Sequence, residues 1–124
     1  MDDRISIGKR GEDVAVRYLE EAGWRIVERN WRFHHVGEID IIAVEPTRGR
    51  GTLVFCEVKA KSGAGFGAPL EAITWAKLGR LHRLACAWMS THDTGYNLVR
   101  IDAIGVVLRP GFRPAITHAR AVRL

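Results

Sequence analysis

Residues 53–61, LVFCEVKAK, restrict the fold of this chain more than any other stretch. Leu53, Val54, Phe55, Cys56 and Val58 suit the interior of a β-strand, yet Glu57 stands inside the run and Lys59 follows two places on. A lone carboxylate among apolar neighbours is costly to bury unless it is paired or bound to a cation. The fold must therefore supply Glu57 with a partner.

The surrounding pattern predicts one mixed sheet. Residues 8–22, GKRGEDVAVRYLEEA, place Gly11, Val14, Ala15, Tyr18, Leu19 and Ala22 at helical spacing, and Gly23 follows as a stop. Residues 24–33 (WRIVERNWRF) and 36–45 (VGEIDIIAVE) read as strands. PTRGRGT, with Pro46, Gly49 and Gly51, is a turn short enough to make the strand at 52–61 antiparallel to the one before. KSGAGFGAP at 61–69, with three glycines and a proline, predicts a mobile surface loop. A long helix follows over 70–90, with Leu70, Ile73, Leu81, Leu84, Ala85 and Trp88 as its apolar stripe. Strands follow at 98–108 and 115–119. The order α-β-β-β-α-β-β is that of an α/β domain with helices packed on the sheet.

Side chains alternate faces along a strand, so Glu38, Asp40 and Ile42 are expected on one face of the second strand, and Phe55, Glu57 and Lys59 on one face of the third. In a hairpin of these strands Asp40 and Glu57 can meet. Two adjacent carboxylates repel, and a divalent cation with a preference for oxygen ligands, Mg²⁺ or Mn²⁺, relieves the repulsion. Lys59 can then face whatever the metal holds. The plain alternative is a salt bridge between Glu57 and Lys59 on an exposed face, since an E-x-K triplet by itself is common.

A chain of 124 residues, 47% hydrophobic, has material for one domain over 1–124 with its own core. No apolar run reaches the ~20 residues of a membrane span. The opening MDDRISIGKRGEDVAV has no apolar signal core, so a cytoplasmic location is expected. Cys56 and Cys86 form no CxxC pair and are expected to be reduced and buried. The net charge of +5 and sequence pI of about 9.8 favour polyanionic partners, nucleic acid above all, although charge also serves solubility.

GEIDIIA at 37–43 and LVFCEVKAK at 53–61 resemble the PD-(D/E)xK nuclease signature. Taken with GKRGEDVAVRYLEEAGWRIVERNWR at 8–32, GAPLEAITWAKLGRLHRLACAWM at 67–89 and LVRIDAIGV at 98–106, nearly the whole chain resembles the YraN-like family of small bacterial proteins, itself similar to archaeal Holliday-junction resolvases. The resemblance implies a restriction-endonuclease-like core and a Mg²⁺- or Mn²⁺-dependent endonuclease acting on DNA, with branched or junction DNA as the substrate class. Asp40 and Glu57 match the metal-binding acids, and Lys59 the lysine that positions the attacking water. Glu12 matches an acid near the metal in the resolvase-like relatives. Glu38 departs from the usual proline–aspartate pair and is an extra ligand or a supporting group. A non-catalytic nucleic-acid-binding protein of the same fold is the alternative. Junction resolvases act as two-fold dimers, so a homodimer is expected.

Further residues carry a weaker signal. Lys77, Arg80 and Arg83, with His82, make the second helix basic, and Arg10 with Lys9 and Arg17 does the same for the first; these are the expected phosphate contacts. Arg25, Arg29 and Arg32 extend the basic surface along the first strand. His34 and His35, as strand neighbours, would point apart and make a poor metal pair. Asp102 beside Arg100 reads as a local ion pair, and Trp24 and Trp31 as core. GAGFG lacks the Lys-Ser or Lys-Thr that a phosphate loop requires.

Overall fold

The computed structural model describes residues 4–63, 70, 73–92 and 95–122. The chain runs α1 (Arg4–Glu21), β1 (Arg25–Phe33), β2 (Gly37–Glu45), β3 (Thr52–Ser62), α2 (Trp75–Thr91), β4 (Leu98–Leu108) and β5 (Ala115–Ala119). The five strands form one sheet in chain order, β1-β2-β3-β4-β5. Neighbours are antiparallel except β3 and β4, which are parallel and joined through α2. The element order matches the sequence expectation.

The sheet is covered on both faces. Ala15 and Leu19 of α1 are fully buried against Ile41, Ala43, Val54, Cys56, Ile104 and Val106. On the other face Leu81, Leu84, Ala85 and Trp88 of α2 pack on Ile39, Ile42, Val44, Leu53, Phe55 and Ile101. This two-sided burial explains why IDIIAV and LVFCEV are continuous apolar runs.

Close approach of α1 to the sheet depends on Gly11. A β-carbon there would overlap the Ala60 side chain of β3. The helix ends in a Schellman motif. Gly23 takes the left-handed conformation (φ 90°), its amide donates to Glu20 O at 2.9 Å, and the Trp24 amide donates to Leu19 O at 3.0 Å. The closing contact is built from Leu19 and Trp24, which share the α1-side core.

Helix α2 begins at Trp75, later than the apolar spacing predicts. Thr74, in extended conformation, accepts the Lys77 amide on its hydroxyl at 3.2 Å and so caps the helix. Leu70 and Ile73 therefore lie before the helix, and Leu78 takes their place in the buried stripe. The glycine loop expected at 61–69 falls on residues 64–69, outside the described residues; Lys61 and Ser62 still belong to β3.

Candidate acid–lysine site

The ladder between β2 and β3 runs from Glu45↔Thr52 to Ile41↔Cys56 and stops there. At the next position the amide of Val58 donates to the Asp40 carboxylate, Oδ2, at 2.7 Å. A side chain has replaced a backbone acceptor. The side-chain alternation of β2 slips at the same place: Ile39 and Ile42 lie in the α2-side core, and Ile41 and Ala43 in the α1-side core. Strict alternation, which put Asp40 and Ile42 on one face, therefore fails here. The pairing of Asp40 with Glu57 does not depend on it.

Asp40 and Glu57 touch through a side-chain hydrogen bond. Burial, followed by the charge of Glu57, pushes the Asp40 carboxyl up to about 8; the Val58 amide pulls the other way, and Glu12 adds a smaller upward push. Glu57 is only 8% exposed. The pair is thus an acid site that holds a proton at neutral pH in the absence of a cation.

Two lysines stand beside it. Lys59, two residues along β3 from Glu57, lies close to Lys77 from the first turn of α2. That contact, with burial and the Lys59 charge, lowers the Lys77 pKa, while Glu57 opposes the shift. Arg80, one turn further, also lies close enough to Lys77 to act on it, and its side chain runs against Gly37. The fold therefore brings Lys77 to the acid pair, with Arg80 beside Lys77. Arg83 and Arg10 are exposed on the two helices.

Glu12 points to the same region from α1. It accepts Asn30 Nδ2 at 2.9 Å and Arg29 at 3.2 Å, and Arg29 also binds Asp13 at 2.7 Å. Glu12, Glu38, Asp40 and Val58 line one cleft of about 410 Å³ between α1 and the strands. Glu38 binds Arg32 at 3.3 Å. Two of the three β1 arginines expected at a phosphate surface are thus engaged with acids: Arg29 with Glu12 and Asp13, Arg32 with Glu38. Among the described residues no group of three His, Cys, Asp or Glu gathers closely enough to hold a metal; Asp40 and Glu57 are two acids that meet.

Several side readings are corrected or sharpened. Cys56 is buried and Cys86 exposed; both are free thiols. His34 is not in a strand but in the turn after β1, with φ 50° and its ring against Phe33. Trp24 is core and Trp31 half-buried against Phe33. Asp102 does pair with Arg100, at 2.8 and 2.9 Å. It also binds His118 Nε2 at 2.8 Å and the Ala121 amide at 3.0 Å, and His118 Nδ1 meets the Tyr18 hydroxyl at 2.8 Å. Asn30, with φ 52°, and His118 carried no signal in the sequence, since their partners are 18 and 16 residues away or more.

Residues 11–106 match the uncharacterised protein family UPF0102. The chain is similar to a UPF0102 protein of Nocardia farcinica (strain IFM 10152), 43% identical over 97% of this chain and 91% of the relative. It is similar to another of Rhodococcus jostii (strain RHA1), 42% identical over 97% and 98%. A third relative, from Arthrobacter sp. (strain FB24), is 43% identical over 94% of both chains.

Proposed function

The chain belongs to the uncharacterised protein family UPF0102, and we propose that it is a divalent-metal-dependent endonuclease acting on DNA, with branched or junction DNA as its substrate class. One observation carries the reading. Asp40 and Glu57 meet where the β2–β3 ladder opens, and Lys59 and Lys77 stand beside them. Acids in contact ask for a cation, and paired lysines ask for an anion. A metal–phosphate ester supplies both. The sheet with a helix on each face supports the restriction-endonuclease-like reading.

The residues fit the metal. Mg²⁺ is commonly held by one or two carboxylates, with waters and substrate phosphate completing its shell. Asp40 and Glu57 would hold it, with Glu12 within electrostatic reach of Asp40. When bound, Mg²⁺ or Mn²⁺ supplies charge stabilisation and an acidified water. The side chains supply the rest. The Val58 amide fixes the rotamer of Asp40. The ammonium of Lys59 faces the phosphate, stabilises negative charge that develops on its oxygens, and holds a water for attack. Arg80, Arg83 and Arg10 contact flanking phosphates. Cleavage of a four-way junction at two symmetric points needs two copies of the site, so the working form is a two-fold dimer. The free thiols Cys56 and Cys86 support a cytoplasmic setting.

A labelled four-way junction, a flap and plain duplex should be incubated with Mg²⁺, Mn²⁺ or chelator. Nicks that require metal and disappear in Asp40→Asn, Glu57→Gln and Lys59→Ala support the enzyme. Tight junction binding with no nicks above those of Lys59→Ala replaces it with a non-catalytic binding protein. Light scattering with the junction present reads the dimer.

A further inference from the structure

Helix α1 has a cleft along each flank, and the two differ in charge. On the side of β1 and β2, around Glu12 and Asp40, the arginines are neutralised: Arg29 by Glu12 and Asp13, Arg32 by Glu38. On the side of the β4–β5 hairpin they are not. Arg17 of α1 lines a cleft of about 540 Å³ with Arg113 and Pro114 of the hairpin. Arg10, two turns earlier on α1, lines a second of about 240 Å³ with Arg109, Phe112 and the same Pro114. The shared proline makes the two clefts one groove. Glu21 stands at its far end. Among the described residues Arg17, Arg109 and Arg113 form no ion pair. Arginines gathered without acids repel one another, and a bound polyanion relieves that repulsion.

The hairpin tip holds its arginines in fixed positions. Arg109-Pro110-Gly111-Phe112 forms a type II turn, with Gly111 at φ 79° and the Phe112 amide donating to Arg109 O at 3.0 Å. The Arg109 guanidinium lies over the exposed Phe112 ring, 5.6 Å from its centre, and donates to Arg113 O at 3.2 Å. A guanidinium held in this way loses less freedom when it binds a phosphate than a free one does.

The strand register places this tip relative to the acid–lysine site. β3 and β4 are parallel, with Lys59 beside Gly105 and Ser62 beside Leu108, and Arg109 follows directly. The tip therefore lies at the same end of the sheet as Lys59. At ~3.3 Å per residue and ~4.8 Å between strands, the two backbones are roughly 14 Å apart. The major groove of B-DNA is about 12 Å wide. A duplex with one phosphate at Lys59 can thus present its facing backbone to the tip.

We propose that the groove between α1 and the β4–β5 hairpin is a backbone track for a duplex arm of DNA, in which Arg109 and Arg113 hold phosphates across the major groove from the phosphate at the acid–lysine site. The proposal rests on the DNA reading above and adds to it the arm that the protein grips and the side from which it is gripped. Contacts of this kind position a duplex without reading its sequence.

The test is binding in chelator, so that cleavage plays no part. A labelled duplex and a single strand of the same length are titrated, at several salt concentrations, into the wild type, Arg17→Ala, Glu21→Gln and the double variant Arg109→Ala/Arg113→Ala. Arg48→Ala is the control. It removes the same charge from the exposed β2–β3 turn at the opposite end of the sheet. The double variant should lose about tenfold or more in duplex affinity, and its salt slope should fall by about 1.8. Arg17→Ala should lower the slope by about 0.9, Glu21→Gln should tighten duplex binding, and Arg48→Ala should leave the slope unchanged. The tip arginines are exposed, so the core stays intact, and an unchanged circular-dichroism melt checks this. If the double variant binds duplex as Arg48→Ala does, the track is wrong and the DNA reading stands. A loss as large for the single strand overturns the assignment to a duplex arm. If the wild type binds no duplex even at low salt, the track and the DNA reading are both wrong.

Discussion

The carboxylate of Asp40 accepts the backbone amide of Val58 at 2.7 Å, where the β2–β3 ladder would otherwise continue past Ile41 and Cys56. A carboxyl side chain here does the work of a carbonyl. The ladder register ends at Ile41 and Cys56, and Asp40 and Glu57 meet just beyond it. Asp40 is thus tied to both backbone and site. Truncation to alanine would orphan the Val58 amide, at a cost of ~1–3 kcal/mol unrelated to metal or substrate. Asparagine keeps an acceptor and removes only the charge, and is the appropriate probe.

The pH dependence of stability follows from the same contact. The Asp40 carboxyl is raised from 3.8 to about 8, by burial first and Glu57 second. Between those values the folded chain holds a proton that the unfolded chain has released. Folding is then favoured by protons, and this contribution weakens as pH rises from about 4 to about 8. In chelator, urea midpoints should decline across that window, and Asp40→Asn should flatten the decline. Mg²⁺ competes with the proton, so its stabilising effect should grow as pH approaches 8. A wild-type midpoint that rises from pH 5 to pH 8 in chelator as steeply as that of Asp40→Asn would contradict this assignment.

Replacing Glu57 tests whether the pair is a source of strain or of stability. Above about pH 8, once the proton on Asp40 is lost, Asp40 and Glu57 repel in a site that is largely buried. Glutamine removes the repulsion and can still hydrogen-bond Asp40. Glu57→Gln should therefore be at least as stable as the wild type in chelator at that pH. Millimolar Mg²⁺ should raise the wild-type melting temperature and leave that of the variant unchanged. A loss of roughly 3–5 kcal/mol in chelator would instead mark Glu57 as one half of a buried ion pair with Lys59 or Lys77.

The fold was largely legible because both sheet faces are buried, which turns β2 and β3 into apolar runs whose interruptions stand out. Strand limits at 98–108 and 115–119 follow from alternation and turns alone, and the structure repeats them. The start of α2 was not legible. Apolar spacing continues through Leu70 and Ile73, and only the Thr74 hydroxyl cap decides that the helix begins after them. The meeting of Asp40 and Glu57 could be read from the hairpin, but the face slip at Asp40 could not, since it depends on a side chain taking a backbone role. Asn30 and His118 were invisible for a simpler reason: they matter through the partners Glu12 and Asp102, which only the tertiary fold brings near.

Gly11 sets the distance between α1 and the sheet. An added methyl would meet Ala60 of β3 directly, with Val106 just behind it. Neither neighbour is the far end of a flexible chain, so the helix itself must shift. Gly11→Ala should cost about 1–3 kcal/mol by overpacking, despite the better helix propensity of alanine. The shift would also move Glu12, the next residue, relative to Asn30 and Asp40. Denaturation of Gly11→Ala beside Gly8→Ala is the measurement. Gly8 has open space around it, so alanine there should stabilise slightly. Equal effects at the two positions would show that packing at Gly11 is looser than the structure gives.

Asp102 is the buried charge that holds the second half of the sheet to α1. It has no exposed surface and accepts Arg100, His118 and the Ala121 amide. Burial alone would raise its pKa; His118, Arg100 and the amide outweigh that and hold it at about 2. An ionised Asp102 only accepts, so His118 donates from Nε2, and in the neutral ring Nδ1 accepts the Tyr18 hydroxyl. The chain Tyr18–His118–Asp102 thus links α1, β5 and β4. Asp102→Asn should cost about 1–3 kcal/mol at neutral pH, because it weakens the acceptor of the buried His118 imidazole and removes one of the two acids paired with Arg100, which keeps Glu45 at 2.7 Å. The folded pKa lies below the ordinary value of 3.8, so the carboxylate stabilises above that pH, and its contribution fades as pH falls toward 2. The gap between wild type and variant should close over the same range. Tyr18→Phe combined with Asp102→Asn should be non-additive by about 0.5–3 kcal/mol, the mark of groups coupled through one imidazole. Strict additivity in urea melts would mean that the tyrosine and the aspartate act independently and that His118 transmits nothing between them.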